Sequence, residues 1–203
     1  MSHCPSARLH PCVIGLTGGI ATGKTTVANY LANRHGLPIL DADHYARDAV
    51  CIGSPAWVAI RERYGPDIVQ PDGALNRPRL GHILFHDAME KQWLETLIHP
   101  VVRDRLAAER MAYLDSPRLV MVIPLLFETQ MTDWVTDIWV VYCDEPQQRR
   151  RLMDRNGLTL AEAQVRIASQ MPIAEKCDRA DVVLDNSGPV SALYAQIDRA
   201  LQR

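Results

Sequence analysis

Gly18-Gly19-Ile20-Ala21-Thr22-Gly23-Lys24-Thr25 satisfies G-x-x-x-x-G-K-S/T at every fixed position, and it lies between an apolar run, Cys12 to Thr17, and a helix-like stretch beginning at Lys24. A strand that feeds a glycine-rich turn and then a helix makes a phosphate cradle. Backbone N–H groups converge on an anionic oxygen, and the helix adds the positive end of its dipole. Gly18 and Gly23 supply backbone conformations closed to other residues, Lys24 places a cation near a transferring phosphate, and Thr25 offers its hydroxyl to Mg²⁺. A plain glycine turn before a helix would not require all of these identities behind an apolar run.

Working outward, five short apolar runs recur: Cys12–Thr17, Leu37–Asp41, Leu119–Ile123, Ile138–Cys143 and Asp181–Asp185, each followed by polar or helix-like sequence. This alternation predicts an α/β fold with a five-stranded parallel sheet and covering helices. The first helix starts at Lys24, carries Val27, Ala28, Leu31 and Ala32 on one face and stops at Gly36; the last runs from Pro189 with Val190, Leu193, Tyr194, Ile197 and Leu201 as its stripe.

Two intervals exceed a single crossover. Residues 51–117 read as an inserted helical subdomain. Ser54-Pro55 opens a helix bearing Trp57 and Ile60 and closed by Tyr64-Gly65, and a turn follows at Pro71-Asp72-Gly73. Leu80, Ile83 and Leu84 then mark one helix, and Met89, Trp93, Leu94, Leu97 and Ile98 another. Val102, Leu106 and Tyr113 mark a third, starting at Pro100 with His99 as its cap. Residues 144–175 carry arginines at 149, 150, 151 and 155, then Gly157 and a helix from Ala161 to Gln170, and they read as a basic lid over a triphosphate. Arg151 and Arg155 share a helical face; a solvated basic surface is the competing reading. The nucleotide core is then 12–50, 118–143 and 176–203, with 1–11 an extension.

Composition narrows the partners. The 203-residue chain is 47% hydrophobic and 23% charged with a formal net charge of −2, which suits a small-molecule partner and gives no support for sequence-independent nucleic-acid binding. No run is long enough to span a bilayer and MSHCPSARLHPC lacks a hydrophobic signal core, so no membrane partner and a cytoplasmic location are expected. Cysteines at 4, 12, 51, 143 and 177 form no C-x-x-C pair, and Cys12 and Cys143 read as buried small hydrophobes. His82 and His86 have a metal-binding spacing, but no acidic residue completes an H-E-x-x-H pattern, and the reading is a half-exposed helix.

Asp41 and Asp43 stand where the second strand ends, the sheet edge at which open α/β folds place ligands. One carboxylate can position or deprotonate an acceptor hydroxyl while the other holds Mg²⁺ waters; alternatively, either caps a helix running from His44 to Val50.

Beyond IGLTGGIATGKTT, the chain contains DADHYAR at 41–47, LNRPRL at 75–80, LIHPVVR at 97–103, IPLLFE at 123–128, QRRRLMDR at 148–155, RIASQ at 166–170 and ADVVLDN at 180–186. In this order they resemble the dephospho-CoA kinase family from Val13 to Ile197. The resemblance implies a fold similar to adenylate kinase. It also implies transfer of the ATP γ-phosphoryl group to the ribose 3′-hydroxyl of dephospho-CoA with Mg²⁺; separately, a monomer or weak homo-oligomer is expected. By that likeness the loop, with Gly18, Gly19 and Ala21 to Thr26, lines the ATP phosphates. Asp43 is the base with Asp41 beside it, and Lys24 and Arg151 act on the transferring group. Arg155 lies on the nucleotide, Asn186, after the last strand, is a candidate for the adenine pocket, and Arg47, Asn76, Arg77, His99 and Arg103 lie on the acceptor side. His99 also reads as a helix cap, Asn186 as a turn residue, and Glu128 either as the partner of a lid arginine or as the end of the 124–127 segment. Ala21-Thr22 stand where the family often has Gly-Ser, Thr25 where it often has Ser, and Cys51-Ile52 replace an acidic residue and Pro. A shikimate- or gluconate-type kinase is the alternative enzyme. A GTP-binding switch would need an N-K-x-D guanine reader, which the chain lacks.

Overall fold

A computed structural model describes residues 12–203. The 1–11 extension and Cys4 lie outside the described residues. Five strands, β1 (Cys12–Gly18), β2 (Ile39–Asp41), β3 (Arg118–Val122), β4 (Asp137–Tyr142) and β5 (Val182–Asp185), form a parallel sheet in the order β2-β3-β1-β4-β5. Val13 to Gly18 are all buried, as a central parallel strand covered on both faces requires. At the edge, β5 buries Val182 and Leu184 and leaves Val183 exposed.

The chain passes from β2 to one side of β1 and from β3 to β4 on the other, so a topological switch point lies beside β1. Such crevices outside the carboxyl edge are where doubly wound sheets bind ligands. Against the sheet lie α1 (Lys24–His35) and α9 (Val190–Ala200). Val27 and Leu31 of α1, with Leu193 and Ile197 of α9, close a core over Ile14, Leu16, Val120, Val122, Trp139, Val141 and Leu184. Gly36 ends α1 with φ 64°, and its N–H returns to the carbonyls of Ala32 and Leu31. Two expected core positions differ. Val190 is exposed because it is the first residue of α9, one turn ahead of the buried stripe, and Cys12 is only partly buried because it opens β1.

The chain divides into two compact units, one built on the sheet and one comprising Ala42–Met111. The helical unit contains α2 (Ala42–Ala49), α3 (Pro55–Tyr64), α4 (Arg77–His86) and α5 (Ala88–Arg110). Ser54 caps α3 by accepting the Trp57 N–H, and Trp57, Ile60, Ile68, Leu75, Leu80 and Leu94 form the unit's core. One expectation fails here. The two helices predicted on either side of Pro100 are one 23-residue helix, α5, with the proline inside it. An interior proline forfeits one helical hydrogen bond and costs about 3 kcal/mol. Leu94 before it and Val102 and Leu106 after it are all buried on one face, and their packing outweighs the break.

A bidentate ion pair ties α3 to α5. Arg63 Nε and Nη2 donate to Glu90 at 2.6 and 2.7 Å, and the Tyr64 hydroxyl donates to Glu90 at 2.5 Å. These hydrogen bonds, from Arg63 first and then Tyr64, hold the Glu90 carboxyl down to about 2. Because the folded value lies below the ordinary one, the stabilisation is present above pH ~4.5 and is lost as pH falls toward 2. Glu90→Gln is therefore expected to flatten the decline of melting temperature between pH 4.5 and 2.5. A thermal-melting series across that window checks this, and an unchanged acid slope would contradict it.

Within the sheet unit, three further helices follow β4: α6 (Glu145–Asn156), α7 (Leu160–Ala168) and α8 (Ile173–Asp178). Asp144 caps α6, Gly157 with φ 63° ends it, and Thr159 with Glu162 forms a capping box on α7. The expected helix to Gln170 stops two residues earlier, and α8, absent from the sequence reading, follows it.

Candidate active site

The phosphate loop is built by packing that excludes larger residues. A Cβ at Gly18 (φ 143°) would stand 2.4 Å from the Val141 carbonyl oxygen, and one at Gly23 (φ 105°) would stand 2.1 Å from Asn186 Nδ2. Ala21 takes φ 60°, which is strained for a residue with a side chain. Thr22 turns inward, fully buried, and its hydroxyl donates to the Gly19 carbonyl at 2.9 Å. Among the described residues no side chain caps the first turn of α1, the kind of helix end that can receive an anion. Lys24 Nζ folds back onto the Gly18 and Gly19 carbonyls at 2.9 and 2.7 Å. Thr25 is exposed at the same turn, while Thr26 is partly buried with its N–H on the Gly23 carbonyl.

Asp41 is the last residue of β2 and pairs in register with Val122, which pairs on its other side with Leu16. It is thus level with a point two residues before Gly18, one strand removed from β1. Helix α2 begins at Ala42, so Asp43 lies within its first turn, which corrects the expectation of a helix starting at His44 behind an aspartate cap. Asp43 and Arg47 are exposed and share a face at i and i+4.

Elsewhere in the helical unit, Asn76 caps α4 by accepting the Arg79 N–H at 3.1 Å, and Arg77 begins that helix exposed. His99, predicted to cap a helix at Pro100, is instead inside α5. It is partly buried, with Arg103 one turn further on the same face. His82 and His86 stack at 4.1 Å.

Around the loop, Asn186 is buried and donates Nδ2 to the Thr22 carbonyl at 2.8 Å. Its own carbonyl accepts from Arg151 Nη2 at 3.1 Å. Asn186 therefore braces the loop from below Gly23, and Arg151 braces Asn186. Arg151 Nη1 is enclosed with no hydrogen-bond partner among the described residues. Next to it, burial pushes the Cys143 thiol up, with Arg151 opposing. Arg155 is exposed at the end of α6, with Nε on Asn156 Oδ1. Arg149 and Arg150 pair along α6 with Glu145 and Asp154.

Glu128 takes neither expected role. Its partner is Lys176 of α8, at 2.8 Å and fully buried, and it also accepts the Met171 N–H at 3.0 Å. Burial would raise the Glu128 carboxyl, but the hydrogen bonds from Lys176 and the main chain outweigh it and lower it. Lys176 also donates to the Pro124 carbonyl, which accepts the Thr17 hydroxyl as well.

Sequence reasoning missed three residues here: Lys176, Gln148 and Gln170. Gln148 Nε2 donates to the Ile20 carbonyl at 2.7 Å, and Gln170 Oε1 accepts the Ile20 N–H at 2.8 Å. The signals for Gln148 and Gln170 are their places in QRRRLMDR and RIASQ; nothing in the spacing of Lys176 points to the site.

Comparison with known proteins covers nearly the whole described chain. A family model described as CoaE, dephospho-CoA kinase, matches residues 12–192. The chain is 62% identical over 189 residues to the dephospho-CoA kinase of Trichormus variabilis, covering 93% of this chain and 96% of that protein. A Thermus thermophilus protein of known crystal structure superposes with TM-score 0.79 at 35% identity, covering 95% of this chain and 97% of that one. The dephospho-CoA kinase structure from Campylobacter jejuni, at 24% identity, shares the fold with TM-score 0.68 over 94% of this chain and 95% of its own. With a built phosphate loop and a family match along nearly its whole described length, the chain belongs to the dephospho-CoA kinase family.

Proposed function

We propose that this protein transfers the γ-phosphoryl group of ATP to the ribose 3′-hydroxyl of dephospho-CoA, giving CoA and ADP. The observation that carries this reading is the match to dephospho-CoA kinases over residues 12–192, a span that contains both the loop and the motifs outside it. The same match displaces the shikimate- and gluconate-type alternative and the GTP switch.

The proposed roles follow from the loop outward. Gly18, Gly19 and Ala21 to Thr26 surround the ATP phosphates with backbone N–H groups and the positive end of α1. Lys24 exchanges its two carbonyl acceptors for phosphate oxygens and meets the charge that develops on the phosphoryl group in flight. Asp43 accepts the proton of the 3′-hydroxyl and Asp41 stands beside it. Arg47, Arg77, His99 and Arg103 offer donors or cations to the acceptor's phosphates, as Asn76 does with the amide of its side chain. Residues 51–117 form the acceptor side and 144–175 the lid. Arg151 and Asn186 serve the nucleotide by holding the loop, and Arg155 meets the triphosphate as the lid closes.

Mg²⁺ suits this donor set. It takes hard oxygen ligands, keeps several waters and shares them with substrate phosphates, so one exposed hydroxyl, that of Thr25 at the first turn of α1, is a sufficient protein contribution. The ion would supply neutralisation of phosphate charge. Among the described residues no helix is long and apolar enough to cross a membrane.

A coupled ADP-release assay with dephospho-CoA, shikimate and gluconate as acceptors tests the reading. Turnover is expected with dephospho-CoA alone, and its product should carry the new phosphate on the 3′-oxygen. Turnover only with shikimate or gluconate would overturn it.

A further inference from the structure

Both main-chain groups of Ile20 are held by side chains from more than 120 residues away. The N–H donates to Gln170 Oε1 and the carbonyl accepts from Gln148 Nε2, at 2.8 and 2.7 Å. An N–H can only donate and a carbonyl can only accept, so the polarity of each side-chain amide is fixed by its partner. Gln148 is 2% exposed, and its approach depends on Gly19, where a Cβ would stand 2.5 Å from Nε2. The peptide that Gln148 grips leads directly into Ala21 at φ 60°. A strained residue of this kind costs on the order of 1–3 kcal/mol and persists only where its surroundings over-determine it.

The two glutamines also bracket the arginine-bearing helices. Gln148 lies in the first turns of α6, and Gln170 follows α7. Next to Gln170, the Met171 N–H is fixed on Glu128, which is itself paired with buried Lys176. The entry and the exit of the 149–169 segment thus converge on one residue of the phosphate loop, through the two peptides that flank its Cα.

We propose that Gln148 and Gln170 are positioning residues for phosphoryl transfer. They hold the two peptides flanking Ile20 in the geometry that receives ATP and couple both ends of the lid to the loop. The proposal rests on the reading of the loop as the ATP site and of 144–175 as the lid. Neither glutamine needs to touch the reacting atoms. Their effect is to remove the loop's freedom before nucleotide arrives, so that binding energy is not consumed in ordering it.

Hydrogen-bond polarity supplies the test. Q148E and Q170E place the same new charge beside the same loop, so repulsion of the triphosphate falls on both. Glutamate at 170 still accepts the Ile20 N–H, whereas glutamate at 148 opposes an acceptor to the Ile20 carbonyl. Dissociation constants for a fluorescent ATP analogue and kcat/KM for ATP are measured at a temperature where both variants are folded, with melting temperatures recorded alongside. Q148E is expected to lose about tenfold more than Q170E in both quantities, the size of one lost hydrogen bond of about 1.4 kcal/mol. Should Q148E not be recovered folded, Q148L removes the donor without adding charge and must itself fall below wild-type protein in both quantities. Equal losses, a reversed order, or a difference confined to melting temperature would overturn the proposal. The analogue titration needs no acceptor. If wild-type protein binds ATP but fails to phosphorylate dephospho-CoA, the acceptor reading fails and the clamp is still judged by the affinity ranking.

Discussion

Lys24→Ala is expected to lower kcat by on the order of 10³-fold, while the dissociation constant for ATP rises by a much smaller factor. Negative charge spreads over the transferring oxygens in the transition state, and a cation aimed there is worth more than in the ground state. The structure adds a second consequence. Lys24 Nζ bridges the Gly18 and Gly19 carbonyls, so alanine also removes two contacts within the loop. At about 0.5–1.5 kcal/mol each, these hydrogen bonds would show as a loss of melting temperature and a modest loss of ATP affinity, separate from the chemical step. Lys24→Arg keeps the charge but not the compact ammonium geometry, and is expected to recover part of the binding and little of kcat. Steady-state kinetics at saturating ATP and dephospho-CoA, with an ATP titration, separates the two effects. A kcat near that of wild type for Lys24→Ala would overturn the assignment of the cradle.

The part of the site that could be read in the sequence is the part whose geometry depends on special residue types. Gly18, Gly23 and Gly36 all take positive φ, and each was placed by its position relative to an apolar run or a helical stripe. The same is true of the strands. Each of the five predicted apolar runs overlaps an observed strand, because a parallel sheet buried on both faces imposes continuous hydrophobicity. What was illegible depends on contacts between distant residues. Pro100 reads as a helix start by every local rule, and only the burial of Leu94, Val102 and Leu106 along one face explains why α5 runs through it. Gln148, Gln170 and Lys176 are ordinary polar residues on short helices or beside them, and they acquire meaning only when the fold brings them to Ile20, Glu128 and Pro124. Asn186 illustrates the middle case. The family resemblance makes it a candidate for the adenine pocket, but its hydrogen bond to the Thr22 carbonyl, beneath a glycine with no room for a Cβ, is not inferable from position.

Asp43→Asn carries the other large expected effect: kcat for dephospho-CoA phosphorylation should fall by on the order of 10²-fold or more, with a smaller change in acceptor KM, because a positioned base acts on the proton in flight rather than on bound substrate. Its local setting makes the experiment clean. Asp43 is exposed in the first turn of α2, where a carboxylate near the positive helix end contributes about 0.3–1 kcal/mol of stability, so asparagine should leave the protein folded. Asp41 is the necessary comparison. It is partly buried at the end of β2, held in register with Val122, and asparagine there removes a negative charge at the sheet edge without shortening the side chain. If Asp41 serves the phosphates through water and Mg²⁺, Asp41→Asn should raise the Mg²⁺ concentration needed for half-maximal rate, whereas Asp43→Asn should not. Kinetics of both variants across a Mg²⁺ series distinguishes them. A collapse of kcat in Asp41→Asn that excess Mg²⁺ does not restore, beside a mere KM effect in Asp43→Asn, would transfer the base to the carboxylate that ends the strand and leave Asp43 as an acceptor-binding group on α2.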